Sequence, residues 1–567
     1  MPPAVFFLKS RIAAAAADRS QFVRIALLVA LHLAALGVLF WTEGDWAARA
    51  AFVLTWGILN FFWLALLRRP ATSAALSLTM VSVLILLSQF KQNVTMMTAT
   101  FVDVMLIDKD TISFLLTIIP GLAWQVALGA ALAAAVLLLL WRYEPFRVRR
   151  GLAALGCAAC LAALIVLSLV VPLDREDEFF AYQYVSKFTR SAAVAAVELM
   201  TKGVLEADAR AATHLDTAPD EACPPTGKLP HIVMVFDESS FDATMLPGTQ
   251  VPPNYQDRFR SFDGKSRAFV VEGAGGPSWF TEYNVLAGLS VRSYGRFAES
   301  VTRIATGRVQ RGLPFALRRC GYRTYSLYSW FGAFMGARSF QTSAGIERFL
   351  DANQLRTDNI DTDAFFYGKA AEMLARERGN GPVFLFVYLA ANHFPWDHRY
   401  RPDLSFDWKN LGNPPEIEEY LRRQQMSVRD LAQFKERLAR EFPGEKFLFV
   451  RFGDHQPLFA RHYVEPGLGE AGIADRIQHF DPRYFTTYYA IEALNFQPRN
   501  LSSALDTLDA PYLPLVVLEA AGVPLDPSFK EQKRILQRCN GMFYLCAHGA
   551  EASRFNRLLI DAGLLKF

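Results

Sequence analysis

Apolar residues are unevenly spread along this chain. Five runs in its first third, 25–41, 50–67, 72–90, 121–141 and 151–171, are free of charged residues apart from Arg at the edges of their flanks. Each approaches the ~20 residues needed to cross a bilayer as a helix. A core helix of a soluble protein can imitate one such run but hardly five in succession, so the pattern predicts five transmembrane helices. From His231 the pattern changes: short β-branched and aromatic runs alternate with segments of helical period. "HIVMVF", "AFVVEG", "YRTYSLY", "PVFLFVYLA", "KFLFVRFG" and "YFTTYYAIEA" read as strands. "GLPFALRRCG", "TDAFFYGKAAEMLARERG", "SVRDLAQFKERLAREFPG" and "LPLVVLEAAGV" read as helices. The alternation predicts an α/β domain with a mostly parallel central sheet, covered by helices on both faces. The expected division is a transmembrane domain over 1–172, a connector over 173–229 and the α/β domain over 230–567. Within the connector, "FFAYQYVSKFTRSAAVAAVELMTKGVL" has helical spacing. It suits a helix lying on the membrane surface or one packed on the globular domain.

Charge adds an orientation. Lys9, Arg11, Arg19 and Arg24 precede the first run, Arg68 and Arg69 follow the second, and Arg142, Arg147, Arg149 and Arg150 follow the fourth. The alternate loops carry Glu43, Asp45, Asp103, Asp108 and Asp110 instead. The positive-inside rule puts the N-terminal flank in the cytoplasm, and an odd number of spans puts everything after Val171 outside. The first run lies too deep in the chain, and lacks a small-residue cleavage site, to read as a removable signal peptide. The expected location is a bacterial cytoplasmic (inner) membrane, with the α/β domain extracytoplasmic or periplasmic.

Composition changes little. The chain is 52% hydrophobic, its mean hydropathy of +0.15 fits the spans, and a net charge of +4 without a basic block gives no reason to expect nucleic acid. Cys157 and Cys160 fall inside the fifth run and read as small packing residues. Cys223, Cys320, Cys539 and Cys546 fall in the exported part, where disulfides persist. The short loop favours Cys539–Cys546, and elimination then pairs Cys223 with Cys320.

The candidate chemistry sits where strands end. Ligands in open α/β sheets gather beyond the carboxyl ends of the strands. One strand ends in Asp237 and Glu238, one runs into His393, and one ends in Asp454 and His455. Two carboxylates and imidazoles delivered to one edge make a metal site of mixed oxygen and nitrogen ligands, suiting Zn2+ or Mn2+ better than calcium, with Mg2+ possible. In "EGAGGPSWFTEYNVLAG", Pro277 suits a helix start that Ser278 would open, placing a hydroxyl to meet an anion. An N-cap is the ordinary job of such a serine.

"FDESSFD", "GGPSWFTEYNVLAG", "NHFPW" and "FGDH", in that order behind five spans, resemble the successive signatures of the alkaline-phosphatase/sulfatase superfamily. The layout is similar to that of lipoteichoic acid synthase and related membrane-anchored phosphoglycerol and phosphoethanolamine transferases. The resemblance implies a divalent metal held by Glu238, Asp454 and His455 together with Ser278, which stands at the position of the family's nucleophile, four residues before Glu282. The family usually has threonine there, so Thr281 is a second candidate. It implies that His393 contacts the substrate phosphate and that Arg338 binds substrate. His462 is either part of a second metal site or a surface residue, and Asp237 and Asp242 are structural or supporting residues. No C/S-x-P-x-R setting is present, which disfavours formylglycine-dependent sulfatase chemistry.

The implied activity is metal-dependent transfer of a phosphoglycerol or phosphoethanolamine headgroup. It passes from a membrane phospholipid donor to an exported glycan or glycolipid through a covalent serine intermediate. A membrane-anchored phosphodiesterase or sulfatase-like hydrolase, and a catalytically silent glycan-binding partner in envelope assembly, remain as alternatives.

Overall fold

A computed structural model describes residues 3–95, 97–171, 181–201, 203–208, 214–215, 222–224, 229–357, 361–498 and 500–567, with only the backbone described over 3–20 and at 95. The chain divides into two compact units, Met1–Ile107 with Leu115–Thr201, and Asp108–Phe114 with Lys202–Phe567.

Among the described residues, the first unit contains five helices long and apolar enough to cross a membrane: Gln21–Thr42, Trp46–Leu67, Pro70–Val94, Leu122–Tyr143 and Arg150–Val170. They coincide with the five apolar runs. Polar groups at their ends are placed by backbone need. Asp45 accepts hydrogen bonds from the amides of Ala47 and Ala48 at the start of the second helix (2.8 and 2.9 Å). Glu144 does the same for Ala71 and Thr72 at the start of the third (2.6 and 2.8 Å). Each satisfies amides that a helix start leaves without partners. The second and fifth helices approach closely through small residues: a Cβ on Gly57 would come within 2.7 Å of Cys160 Sγ, and one on Gly156 within 3.0 Å of Phe61. Small residues permit this contact where lipid supplies no hydrophobic drive.

The helix expected in the connector exists, as Tyr184–Thr201, and it packs among the apolar helices of the first unit. Ser186 Oγ donates to Glu43 (2.6 Å), and the Thr55 and Thr189 hydroxyls meet at 2.9 Å. Residues 172–180 of the connector lie outside the described residues.

The second unit is built on an eight-stranded sheet, in the order β4-β3-β5-β1-β6-β7-β2-β8. The strands are β1 His231–Asp237, β2 Arg267–Val270, β3 Arg323–Leu327, β4 Arg348–Leu350, β5 Val383–Tyr388, β6 Phe447–Gly453, β7 Thr486–Leu494 and β8 Thr507–Asp509. Five of the seven pairings are parallel, and only β7 runs antiparallel to its neighbours β6 and β2. At the centre, Val235 of β1 faces Val387 of β5 on one side and Arg451 of β6 on the other.

Every residue of β1, β5 and β6 is buried. Val233, Val235, Leu385, Val387 and Phe449 pack against Phe366, Leu374, Leu431 and Phe434 of the Asp363–Glu377 and Pro415–Glu441 helices. The alternate residues Ile232, Met234, Phe236, Phe384, Phe386 and Val450 are fully buried as well. Strands buried on both faces are continuous apolar runs, as parallel sheets require. Both expected disulfides are present, Cys223–Cys320 with Cα atoms 5.3 Å apart and Cys539–Cys546 at 5.6 Å. Cys157 and Cys160 are free.

Candidate metal centre and nucleophile

Strands β1 and β6 lie side by side and in register, so their ends arrive together: Asp237 is paired with Gly453. The next residues are Glu238 on one strand and Asp454 and His455 on the other. Gly453 permits this closeness, since a Cβ there would fall 1.7 Å from the carbonyl oxygen of Ser240. Ser239, held at a positive φ of 52°, turns its amide to donate to Asp454 Oδ1 (2.7 Å). Thus the strand ends are tied across the edge where the carboxylates emerge.

Glu238, Asp454 and His455 are buried, and one ligand atom from each lies within 4.8 Å of the others. Among the described residues this is the only group of three or more such side chains placed to hold a metal ion. His455 Nε2 stands 3.2 Å from Glu238 Oε1 and 3.3 Å from Asp454 Oδ2. His455 Nδ1 is engaged by the carbonyl of Gln456 (2.8 Å), which fixes the ring and leaves Nε2 toward the carboxylates. Asp454 Oδ2 is buried and makes no well-formed hydrogen bond. Two buried carboxylates and one imidazole with an oxygen still unsatisfied fit a divalent cation by donor type and by charge.

The electrostatics point the same way. Burial alone would raise Glu238, but its hydrogen bond to His455 and the charge of that ring outweigh it and hold the carboxyl at about 2. Burial lowers His455, while Asp454 and Glu238 overcome this and lift it to about 9. Burial and the charge of Glu238 push Asp454 well above the usual carboxylate range. The two acids compete for one neutralising charge, a demand that a bound cation would meet.

Ser278 opens the helix Ser278–Ala287, after a turn in which Gly275 has φ of 71°. Its Oγ lies 3.1 Å from Glu238 Oε2 and 3.1 Å from His455 Nε2. The helix start adds a partial positive charge where an anion would approach. Thr281 is fully buried, and its hydroxyl donates to the carbonyl of Asp454 (2.7 Å). Of the two hydroxyl candidates, the structure brings Ser278 to the cluster and uses Thr281 to brace the Asp454 backbone.

The other sequence candidates are more dispersed. His393 is half-buried in the loop after β5, with Nδ1 against the carbonyl of Phe394 (2.9 Å), and its charge contributes to lowering Glu238. Arg423 fastens that loop by donating to the carbonyls of His393 and Pro395, each at 2.7 Å. Arg338 points at Asp351 (2.6 Å) and Gln354 (2.8 Å), and the structure does not bring it against the three carboxylate and imidazole ligands. His462 is at the surface, 3.5 Å from Glu470. Asp237 accepts from Arg258 (3.3 Å) and from the Tyr488 hydroxyl. Asp242 caps a short turn through the amide of Thr244 (3.0 Å).

One participant escaped the sequence reading. Tyr388, the last residue of β5, donates its hydroxyl to Glu238 Oε2 (3.0 Å). Its ring stacks on Phe236 with centroids 4.1 Å apart. The signal was present: Phe384, Phe386 and Tyr388 alternate on one face, and only the last carries a polar tip toward the ligand edge.

Residues 280–478 match the sulfatase family model. The chain carries a sulfatase-like domain. The match includes Arg338, His393, Asp454 and His455, while Ser278 lies just before it and Glu238 well before it. No curated protein matches the chain. Among solved structures, the chain is similar to the Streptococcus pyogenes phosphoglycerol transferase GacH, at 14% identity over 61% of this chain and 87% of that one, with a TM-score of 0.45. It is similar to the phosphoethanolamine transferase EptA from Neisseria meningitidis, at 14% identity over 85% and 96% of the two chains (TM-score 0.42). It is also similar to the lipoteichoic acid synthase LtaP from Listeria monocytogenes, at 15% identity over 55% and 76% (TM-score 0.39). The sulfatase-like domain thus follows five apolar helices and has a mostly parallel sheet.

Proposed function

We propose that this protein transfers the phospho-headgroup of a membrane phospholipid, phosphoglycerol or phosphoethanolamine, to a hydroxyl of an exported glycan or glycolipid. The observation that carries this reading is the Ser278 hydroxyl at 3.1 Å from both Glu238 and His455, at the start of a helix. Glu238, Asp454 and His455, with Ser278, would hold a divalent cation, Mn2+ or Zn2+ suiting this donor set. When bound, the cation lowers the pKa of the serine hydroxyl and offsets charge on the phosphate.

In the first step Ser278 Oγ, its proton released to solvent, attacks the diester phosphorus. The bond from phosphorus to the diacylglycerol oxygen breaks, and that oxygen leaves with a proton, for which His393 at the rim is the donor. The phospho-headgroup stays esterified to Ser278. In the second step an acceptor hydroxyl attacks the same phosphorus and gives its proton to His393, restoring the one given up in the first step, while the Ser278 oxygen leaves and takes a proton from solvent. Glu238 Oε2, accepting the Ser278 hydrogen bond, holds the oxygen in place, and Tyr388 holds Glu238. The helix start stabilises the charge that gathers on the phosphate oxygens. The apolar helices keep the domain at the lipid surface that supplies the donor.

Intact-mass measurement of the purified protein after incubation with phosphatidylglycerol or phosphatidylethanolamine tests this reading. A phospho-headgroup adduct on the peptide containing Ser278 is the expected result and names the donor. Diacylglycerol released with no adduct and no acceptor requirement would favour the hydrolase instead.

A further inference from the structure

Helix Ser278–Ala287 carries the nucleophile at its first residue and Glu282 one turn later, on the same face. Glu282 is 1% exposed, and its Oε1 has no hydrogen-bond partner. Its polar neighbour is Gln341, fully buried, which reaches the Glu282 carboxyl but makes no well-formed hydrogen bond through either amide atom. Gln341 belongs to the helix Ala337–Ser343, three residues after Arg338. The same two helices meet again through Tyr283 and Phe340, with ring centroids 5.6 Å apart.

Buried polar atoms without good partners cost folding free energy, and an apolar side chain of similar shape would not pay it. Such local breaches of packing rules concentrate where function holds them. Glu282 and Gln341 breach the rule together, Glu282 one turn from the nucleophile and Gln341 one turn from Arg338, the substrate-binding candidate of the sequence. Burial also pushes the Glu282 carboxyl up to about 8, the Gln341 amide offsetting this only in part, so the acid is mostly neutral at pH 7 and can donate as well as accept.

We propose that the Glu282–Gln341 contact is a positioning device that sets the spacing between the nucleophile Ser278 and Arg338, the residue the sequence offers for substrate binding. It acts through the two helices and touches neither substrate nor metal. The inference rests on the headgroup-transfer reading of the same site.

The test uses the full chain in detergent micelles containing fluorescent NBD-phosphatidylglycerol or NBD-phosphatidylethanolamine. It reads kcat and KM for release of NBD-diacylglycerol, together with metal content and Tm. Glu282→Leu and Gln341→Leu should each lower kcat at least tenfold, with KM within twofold, metal retained and Tm unchanged or raised. The double variant should lose no more than the worse single one. Glu282→Gln, which keeps a donor and an acceptor, should hold kcat within threefold of the native protein. Native kcat in either leucine variant would overturn the proposal. So would a kcat loss that follows Tm, or an amide variant as impaired as the leucine one. Should Glu282→Leu not fold, Gln341→Leu and Glu282→Gln decide alone. Ser278→Ala is the control: if it still releases diacylglycerol, the headgroup-transfer reading fails. If it is inactive while Glu282→Leu is normal, only the positioning role fails.

Discussion

At the residue scale, chemistry turns on a few oxygens whose partners are already specified. Ser278 Oγ has Glu238 and His455 as neighbours, whereas the Thr281 hydroxyl is used up on the Asp454 carbonyl. Ser278→Ala should therefore abolish transfer while leaving fold and most metal affinity intact, and Ser278→Thr should keep measurable turnover. Thr281→Ala should retain the nucleophile and lose stability by about 1 kcal/mol, the usual worth of one buried hydrogen bond. The reverse activity pattern in an adduct-forming assay would move the nucleophile to Thr281. Tyr388 is a separate case, since its hydroxyl supports the site from behind, on Glu238 and beside the Ser278 hydroxyl. Tyr388→Phe keeps the ring on Phe236 but removes the hydroxyl from Glu238, and should weaken metal binding about 10- to 100-fold by calorimetric titration. The sequence showed Glu238, Asp454 and His455 because acids and imidazole interrupt apolar strands at their ends. Tyr388 ends its strand without interrupting it, because an aromatic ring suits a buried β position, so it left no break to notice.

At the element scale, strand alternation and helical period revealed six strands and four of the helices around them, but not β4 and β8, nor the helices Glu470–Gln478, Pro527–Cys539 and Ala550–Asp561. Those two are three residues long, too short to alternate visibly. Nor could pattern alone tell that β7 runs antiparallel, since a strand buried on both faces looks the same in either direction. The buried acids beneath the sheet were equally hidden. Asp363, first residue of the helix Asp363–Glu377, is 2% exposed with Oδ1 unpartnered. Burial first, then the charges of Asp237 and Asp430, raise its carboxyl from the ordinary 3.8 to about 8, while Ser427 and Arg258 oppose the shift only in part. A folded-state value above the unfolded one means that the unfolded chain releases its proton first as pH rises. Stability contributed by this group is therefore whole below about pH 4 and declines through the window up to about pH 8. Asp363→Asn removes that dependence. Its Tm should exceed that of the native protein by more at pH 8 than at pH 5, and an equal difference at both values would mean that the acid is already ionised in the fold.

At the scale of the whole molecule, the division of labour follows from two hydrophobic patterns that need different solvents. Five helices expose apolar side chains such as Trp124, Leu138 and Leu155 around most of their surface, which lipid can cover and water cannot. The sulfatase-like domain instead buries its apolar strands beneath helices and gathers charged and polar side chains at one sheet edge. Such a site meets an exported acceptor only if the domain lies outside the cytoplasm. Loop charge predicts that side: Arg68 and Arg69, and the four arginines of the 142–150 segment, are expected on the cytoplasmic face, and Glu43, Asp45 and Asp103 on the other. A phosphatase reporter that works only outside the cytoplasm should be active when fused after Phe567 and inactive when inserted in the 142–150 segment. Removing the positive charge tests the cause directly. Replacing Arg142, Arg147, Arg149 and Arg150 with neutral residues should lower activity of the C-terminal reporter, because the fourth and fifth helices then lose the charge that holds their loop inside. An active reporter at 142–150 in the native chain, with a silent one after Phe567, would put the site on the cytoplasmic side. Headgroup transfer to an exported glycan would then be untenable.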